Sequence, residues 1–120
     1  MNSFNINFVS DGLTSELSWI LQDNLGNTVG AGGPYGGYGT GVSLPTQVVS
    51  GLNPANGPFI LILNDSWGDG QDATGAGGGI GTTTVINNIT GNTVAFTSGN
   101  WGFTTTLNLG NFVSTTTTFS

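Results

Sequence analysis

The sequence predicts an all-β protein, a two-sheet antiparallel sandwich of jelly-roll type with eight or nine short strands. Short segments alternate apolar with polar residues, and clusters of turn-forming residues separate them. No stretch shows the sustained apolar spacing of three and four residues that indicates an amphipathic helix. A chain of 120 residues fits a single domain over 1–120, whose core is thin because only 36% of the residues are hydrophobic.

The first half of the chain contains a predicted hairpin. Alternation predicts strands near residues 3–9, 16–23 and 27–32, and turn residues at 23–27 join the second strand to the third. The segment near residues 3–9 is not expected to be a secretory signal, because it is too short and lacks the basic residues that such a signal needs. The glycine- and tyrosine-rich segment 32–39 lacks alternation and is expected to form an exposed loop.

The second half contains the most apolar strand of the chain. A short strand is predicted near 46–50, and the turn residues at 53–58 lead into a strand over 59–64. Because that strand is almost continuously apolar, we expect it to be central in its sheet. Beyond an acidic loop and a glycine run, further strands are predicted near residues 82–88, 92–97, 101–109 and 112–119.

The composition excludes several classes of function. The chain has no Lys, Arg, His or Cys, and its formal net charge is -6. Nucleic-acid binding depends on cationic side chains that neutralise phosphates, so a nucleic-acid partner is not expected. Docking on an anionic membrane needs the same cations, and no apolar run approaches the ~20 residues that span a bilayer.

Catalysis is not expected either. A nucleophilic Ser or Thr needs a His or Lys base, and the sequence contains neither. Paired carboxylates remain, but glycoside hydrolysis requires two acids across a sugar cleft, for which a small sandwich with its acids in loops has little room. The sequence therefore predicts a protein that is not an enzyme.

The segment most suited to chemistry is the loop from Asn64 to Asp72, which holds three carboxylates, Asp65, Asp69 and Asp72. Calcium prefers oxygen ligands, and a glycine-interrupted aspartate loop allows carboxylates and carbonyls to converge on one ion. Carboxylates brought close repel one another, and no basic side chain is present to offset them. The alternative, a solvated turn with Asx hydrogen bonds, stays open because the spacing is not that of an EF-hand.

Two motifs carry a resemblance to a known class of module. Ser15-Glu16-Leu17-Ser18-Trp19-Ile20-Leu21 and, later, Asp65-Ser66-Trp67-Gly68-Asp69-Gly70 occur in this order. Together they resemble extracellular calcium-binding β-sandwich modules of secreted marine bacterial and algal proteins, often appended to peptidases, and of cyanophage structural proteins. The chain departs from that pattern at Gln71, where such modules usually carry an apolar residue, and in lacking the cysteines that often follow the loop.

The resemblance implies that Asp11 and Glu16 approach the loop from Asp65 to Asp72, leaving only Asp23 clearly apart. The cofactor expected at this site is Ca2+. The expected metal ligands, in order of preference, are Asp65, Asp69, Glu16, Asp11 and Asp72.

The aromatic residues allow core and ligand-binding interpretations. Trp19 alternates with Leu17 and Leu21 and is predicted to be core. For Trp67 we favour packing at the metal site over stacking on a sugar ring. Tyr35 and Tyr38 lie among glycines, where a partner-binding surface and a packed loop are equally compatible with the sequence.

These features favour a non-enzymatic structural protein that self-assembles or coats a larger particle. Examples of such a role are a capsid-decorating or fibre protein of a virion and a subunit of a surface filament, so the expected partners are copies of itself or other virion or surface proteins. The expected location is a virion surface or the extracellular space, where calcium is abundant. The alternative is a carbohydrate-binding or adhesion module with Trp67, Tyr35 and Tyr38 as its glycan contacts.

Overall fold

The computed structural model describes residues 2–112, which form two four-stranded antiparallel sheets. The strands are β1 (Phe4–Val9), β2 (Leu17–Gln22), β3 (Thr28–Gly32), β4 (Gln47–Val49), β5 (Phe59–Asp65), β6 (Thr82–Asn87), β7 (Thr93–Ser98) and β8 (Thr104–Gly110). The first sheet has the order β4-β1-β6-β7 and the second the order β3-β2-β5-β8. This arrangement confirms the predicted all-β two-sheet sandwich.

The strand predictions are close to the observed boundaries. The strand predicted over 101–109 begins later, at Thr104, because Asn100 accepts a hydrogen bond from the Gly102 amide at 2.9 Å and forms a turn there. The last predicted strand, 112–119, lies outside the described residues except for Phe112. Helical structure in residues 2–112 is limited to 3-10 turns at Thr14–Glu16, Pro54–Asn56 and Thr74–Ala76.

The core lies between the sheets and follows the alternation of the strands. β1, β2 and β5 each bury every second residue, and β5 is central as predicted, pairing with β2 on one side and β8 on the other. Three aromatic rings pack against one another in one region of the core. The Phe112 ring centroid lies 4.5 Å from that of Phe4 and 5.4 Å from that of Phe59.

The tyrosine loop is anchored to the core through a buried tryptophan. Trp19, confirmed as a core residue with 3% exposure, donates a hydrogen bond from Nε1 to Tyr35 Oη at 2.8 Å. Tyr35 and Tyr38 both pack against the core, whereas most of the surrounding glycines are exposed. The structure thus favours the packed-loop interpretation of this segment.

Replacing Tyr35 with phenylalanine should lower the free energy of unfolding by about 1–2 kcal/mol, because the Trp19 Nε1–H loses its acceptor inside the core. Tyr38→Phe is the matched control, since no hydrogen bond of the Tyr38 hydroxyl is found among the described residues, and it should change stability much less. Urea denaturation followed by tryptophan fluorescence measures both. Equal losses in the two variants would contradict the assigned role of the hydrogen bond.

The charged residues lie at the two ends of the sandwich. Among the eight strands only Asp65, the last residue of β5, is charged, and it is buried. The other acids at the same end of the sandwich as Asp65 lie in the loops after β1, before β2 and after β5. The outward faces of both sheets therefore carry no charged side chain.

Asp23 occupies the opposite end, in the β2–β3 turn. Its carboxylate accepts hydrogen bonds from the amides of Leu25 at 2.9 Å and Asn27 at 3.0 Å. Burial would raise the pKa of Asp23, but these hydrogen bonds outweigh it and hold the pKa below its usual value. Asp23 thus has a local structural role in the hairpin turn.

The described part of the chain contains no helix with the length and apolar character that crossing a membrane requires.

Candidate metal centre

The pairing of β2 with β5 brings Glu16 next to Asp65. Leu17, the first residue of β2, is the register partner of Asp65, and the Ser66 amide donates a hydrogen bond to the Glu16 carbonyl at 3.0 Å. Glu16 ends the 3-10 turn that leads into β2, whereas Asp65 faces the core by strand alternation. Two carboxylates from distant parts of the sequence therefore meet at one end of the second sheet.

The loop after β5 folds back over Asp65 and adds a third carboxylate. Asp65 Oδ2 accepts hydrogen bonds from the amides of Asp69 at 2.8 Å and Gly70 at 3.1 Å. The Asp65 carboxylate thus closes a turn that is wider than an Asx turn, in which the bonded amide lies two residues on. The turn fixes the backbone of Asp69 beside Asp65.

Gly70 is required for this path. Its φ is +61°, and a Cβ at this position would lie 2.5 Å from the Trp101 amide nitrogen and 2.9 Å from the Gly99 carbonyl. A side chain would force the loop away from the segment before β8. The glycines in the loop therefore permit the close approach that positions Asp69.

Glu16, Asp65 and Asp69 form what we call the acid cluster. Each offers one carboxylate oxygen, and these three oxygens all lie within 4.8 Å of one another. Ca2+ binds oxygen at about 2.3–2.6 Å, so two ligands of one ion lie at most about 5 Å apart. The spacing of the three oxygens is compatible with a single Ca2+ at their centre.

Two oxygens of the acid cluster are buried without a hydrogen-bond donor. Glu16 Oε1 and Asp69 Oδ1 have no hydrogen-bond partner among the described residues. A buried carboxylate oxygen without a donor is costly, and carboxylates normally obtain donors or a cation when they are buried. These two oxygens therefore have capacity for an additional ligand such as a metal ion.

The electrostatics of the acid cluster favour a bound cation. Burial, the adjacent Asp65 carboxyl and the charge of Asp69 raise the pKa of Glu16 to about 7. Burial and Asp65 also raise the pKa of Asp69. At about 4.8 Å, two like charges repel by about 3.5 kcal/mol at an effective dielectric constant of about 20. Protons or a cation relieve this repulsion, and the sequence offers no basic side chain to do so.

The other two expected ligands lie near the acid cluster but do not belong to it. Asp11 is buried and accepts a hydrogen bond from the Leu13 amide at 2.8 Å. Burial raises the pKa of Asp11, and its charge contributes to the raised pKa values of Glu16 and Asp69. Its charge therefore adds to the negative potential around the cluster.

The carboxylate of Asp72 makes its hydrogen bonds outside the acid cluster. Its Oδ1 accepts hydrogen bonds from the Thr74 hydroxyl at 2.6 Å and the Thr74 amide at 3.0 Å. These hydrogen bonds lower the pKa of Asp72. The carboxylate of Asp72 thus stabilises the following 3-10 turn.

Trp67 differs from its sequence prediction. The sequence favours packing for this residue, but Trp67 is 75% exposed, so that prediction is wrong. Gly68 directly after it has φ +80° and lies against the ring of Phe103, which is itself exposed. Trp67 instead borders a cavity of about 310 Å³ whose other lining residues are Leu13, Glu16, Asp69 and Ala76.

Gln71 is a structural residue that sequence reasoning did not identify as buried. It is 3% exposed, and its Oε1 accepts hydrogen bonds from the Thr83 hydroxyl at 2.8 Å and from Trp101 Nε1 at 3.3 Å. The backbone amide of Gln71 also donates a hydrogen bond to the Gly99 carbonyl at 2.9 Å. Gln71 therefore connects the acidic loop to β6 and to the segment before β8.

Leu13 and Ala76 were also missed as cavity residues. They lie in turns on either side of the acid cluster, and neither has a sequence feature that indicates a site. Only the folded arrangement of three separate loops brings them together.

Comparison of the chain with protein-family models, with curated proteins and with solved structures finds no match.

Proposed function

We propose that the protein is a non-enzymatic structural module, a calcium-stabilised β-sandwich that self-assembles or coats a larger particle. The particle would be a virion, with the protein as a capsid-decorating or fibre component, or a surface filament. Its partners are copies of itself or other structural proteins of that surface. The observation that carries the proposal is the acid cluster, in which three carboxylates converge in a chain without a single basic side chain.

Calcium is favoured over a purely structural turn. A hydrogen-bonded turn accounts for Asp65, whose Oδ2 is satisfied by two amides. It does not account for Glu16, which comes from another part of the chain, or for the buried oxygens of Glu16 and Asp69 that lack donors. A hard cation with a preference for six to eight oxygens would satisfy all three residues, with loop carbonyls or water completing its shell.

Self-assembly is supported by the distribution of charge. A protein of net charge -6 repels its own copies, and soluble monomers usually distribute charges over their whole surface. Here the acids are confined to the ends of the sandwich, and the outward faces of both sheets are uncharged. Copies can therefore approach through the sheets without bringing like charges together.

A carbohydrate-binding or adhesion module is the second candidate, favoured by the exposed Trp67 beside the cavity at the acid cluster. An indole face stacks on sugar rings, and a calcium ion held by Glu16 and Asp69 would face sugar hydroxyls in the same cavity. Tyr35 and Tyr38 give less support to a carbohydrate-binding function, because both pack against the core.

Sedimentation velocity and electron microscopy in calcium, each repeated in chelator, test the main proposal. We expect concentration-dependent assemblies in calcium and fewer in chelator. Protein that stays monomeric at every concentration in calcium, yet binds a glycan array through Trp67 as judged by loss of binding in Trp67→Ala, would support the second candidate and contradict the first.

A further inference from the structure

The end of the sandwich that carries the acid cluster also exposes two large aromatic side chains. Trp67 is 75% exposed and Phe103 is 66% exposed, the highest values among the described aromatic residues. The Phe103 ring lies against Gly68, the residue that follows Trp67. The two exposed rings therefore belong to one part of the surface.

Five of the six acids lie at the same end as these rings. Burial and the charges of Asp65 and Asp72 raise the pKa of Asp11, so acids from separate loops act on one another. A calcium ion of charge +2 at the acid cluster leaves this end with a charge of -3 when all five acids are ionised. We call the acidic aromatic surface the set Asp11, Glu16, Asp65, Asp69, Asp72, Trp67 and Phe103.

The cavity beside Trp67 has the size and lining for one long basic side chain. Its volume is about 310 Å³, which is at the lower end for ligand pockets. Leu13 and Ala76 provide apolar contacts for an alkyl stem, whereas Glu16 and Asp69 each provide a buried carboxylate oxygen without a donor. Guanidinium and ammonium groups donate hydrogen bonds and accept none, and an indole face attracts cations.

We propose that the acidic aromatic surface binds arginine or lysine side chains of a different protein. This inference rests on the coating form of the proposed function and names the chemistry of the surface that is coated. The chain has no Lys, Arg or His, so a second copy has no basic side chain to offer. Arginine is favoured, because its planar group stacks on aromatic rings and binds a carboxylate through two hydrogen bonds.

Other exposed apolar side chains in the described part of the chain lack this combination. Val48 and Phe96 lie on the outward face of the first sheet, whose strands carry no charged residue. Leu25 lies in the turn at the opposite end, beside Asp23, which is buried and accepts hydrogen bonds from amides. The charge of the chain therefore selects the acidic aromatic surface for a basic partner.

The two components of the contact respond differently to salt. Attraction between opposite charges speeds the encounter and weakens as ions screen it. Contact of a cation with the Trp67 ring acts only at short range. Affinity should therefore fall with ionic strength, whereas its dependence on Trp67 should persist at every salt concentration.

A synthetic peptide of alternating arginine and glycine is the probe for this surface. The same peptide with citrulline in place of arginine is the uncharged control. Isothermal titration calorimetry in calcium compares the unmodified protein with Trp67→Ala and Phe103→Ala. Phe96→Ala is the matched control, because it removes an exposed ring from the first sheet and leaves the net charge at -6. Circular dichroism checks that each variant folds.

Two charge variants separate the two ends of the sandwich. Asp72→Asn and Asp23→Asn each change the net charge from -6 to -5. Only Asp72 belongs to the acidic aromatic surface, and its carboxylate lies outside the acid cluster, so the expected ligands of the ion are retained in both variants.

We expect Trp67→Ala to weaken binding of the arginine peptide at least about tenfold, and Phe103→Ala to weaken it less. Phe96→Ala and Asp23→Asn should stay within about twofold of the unmodified protein, whereas Asp72→Asn should weaken binding by up to about fivefold. Three results would overturn the inference: equal binding of the arginine and citrulline peptides, equal binding by Trp67→Ala and Phe96→Ala, or no binding by the unmodified protein.

Failure of this inference is distinguishable from failure of the proposed function. Protein that assembles in calcium but does not bind the arginine peptide contradicts the inference alone. Assembly that is lost in Trp67→Ala and kept in Phe96→Ala would assign the surface to a second copy and overturn the inference. Glycan binding through Trp67 without peptide binding would assign it to a sugar, with the same consequence. Peptide binding by a protein that never assembles with itself supports the inference and restricts the proposed function to coating.

Discussion

Replacing Asp69 with asparagine is expected to shift the stability of the protein in opposite directions with and without calcium. Without calcium, the substitution removes one of three carboxylates that lie within 4.8 Å of one another, and the new amide can donate to a neighbouring carboxylate. The variant should therefore melt at a higher temperature than the unmodified protein in chelator. With calcium, the variant has lost a ligand and should melt at a lower temperature.

The expected sizes follow from general relations. Asp69→Asn removes two like-charge pairs, those of Asp69 with Glu16 and with Asp65, and each pair destabilises the native state by about 1 kcal/mol in a hydrated setting. Calcium at about 1,000 times its dissociation constant stabilises the native state by about 4.1 kcal/mol, a gain that Asp69→Asn should lose and that exceeds the relief of repulsion. Differential scanning calorimetry over a calcium titration and in chelator measures both effects.

Asp23→Asn provides the matched control, since it removes the same charge at the opposite end of the sandwich. Its calcium-induced rise in melting temperature should equal that of the unmodified protein. A rise that persists in Asp69→Asn, or that is absent from the unmodified protein, would show that the acid cluster does not hold the ion.

Raising the pH should destabilise the protein in chelator, with most of the loss between about pH 4.5 and about 7. The pKa of Glu16 rises from 4.5 to about 7 on folding, and those of Asp11 and Asp69 also rise. In this range the native state binds more protons than the unfolded chain, so stability falls as pH increases, with a slope of up to about 1.4 kcal/mol per pH unit for each excess proton.

Calcium should flatten this dependence, because the ion replaces the protons that the acid cluster otherwise retains. Calcium affinity should correspondingly rise over the same pH range. Asp23 and Asp72 act in the opposite sense, since their lowered pKa values contribute stability that is lost on acidification below about 4. Chemical denaturation at several pH values, with calcium and with chelator, measures the difference, and equal pH profiles under both conditions would contradict the site.

The strands could be predicted from the sequence because their inward residues recur with a period of two. Phe4, Ile6 and Phe8 show this clearly, and the apolar run from Phe59 identified the central strand. The order of strands within each sheet could not be predicted, since it depends on pairings between segments such as β1 and β6 that lie far apart in the chain. Alternation reports which face is buried but not which strand is the neighbour.

The site was only partly predictable for the same reason. The Asp65 to Asp69 spacing and its glycines indicated an acidic turn, and the resemblance implied that Glu16 approaches it, but their spatial arrangement depends on the register that sets Leu17 opposite Asp65. Trp67 was mispredicted because the tryptophan of a polar loop packs only if a space is left for it. Here the chain turns at Gly68, with φ +80°, and Trp67 lies exposed at the border of the cavity.

The pairing of β2 with β5 has a kinetic consequence. Glu16 and Asp65 come together only when these strands, which are separated by two other strands in the chain, have found their native register. Such long-range pairings are costly to close, and a folding chain does not present the assembled cluster before they form. An ion that binds only after the rate-limiting step of folding leaves the folding rate almost unchanged and lowers the unfolding rate instead. Bound calcium would then raise the kinetic stability of the native sandwich, which is the property that a long-lived coat or fibre needs.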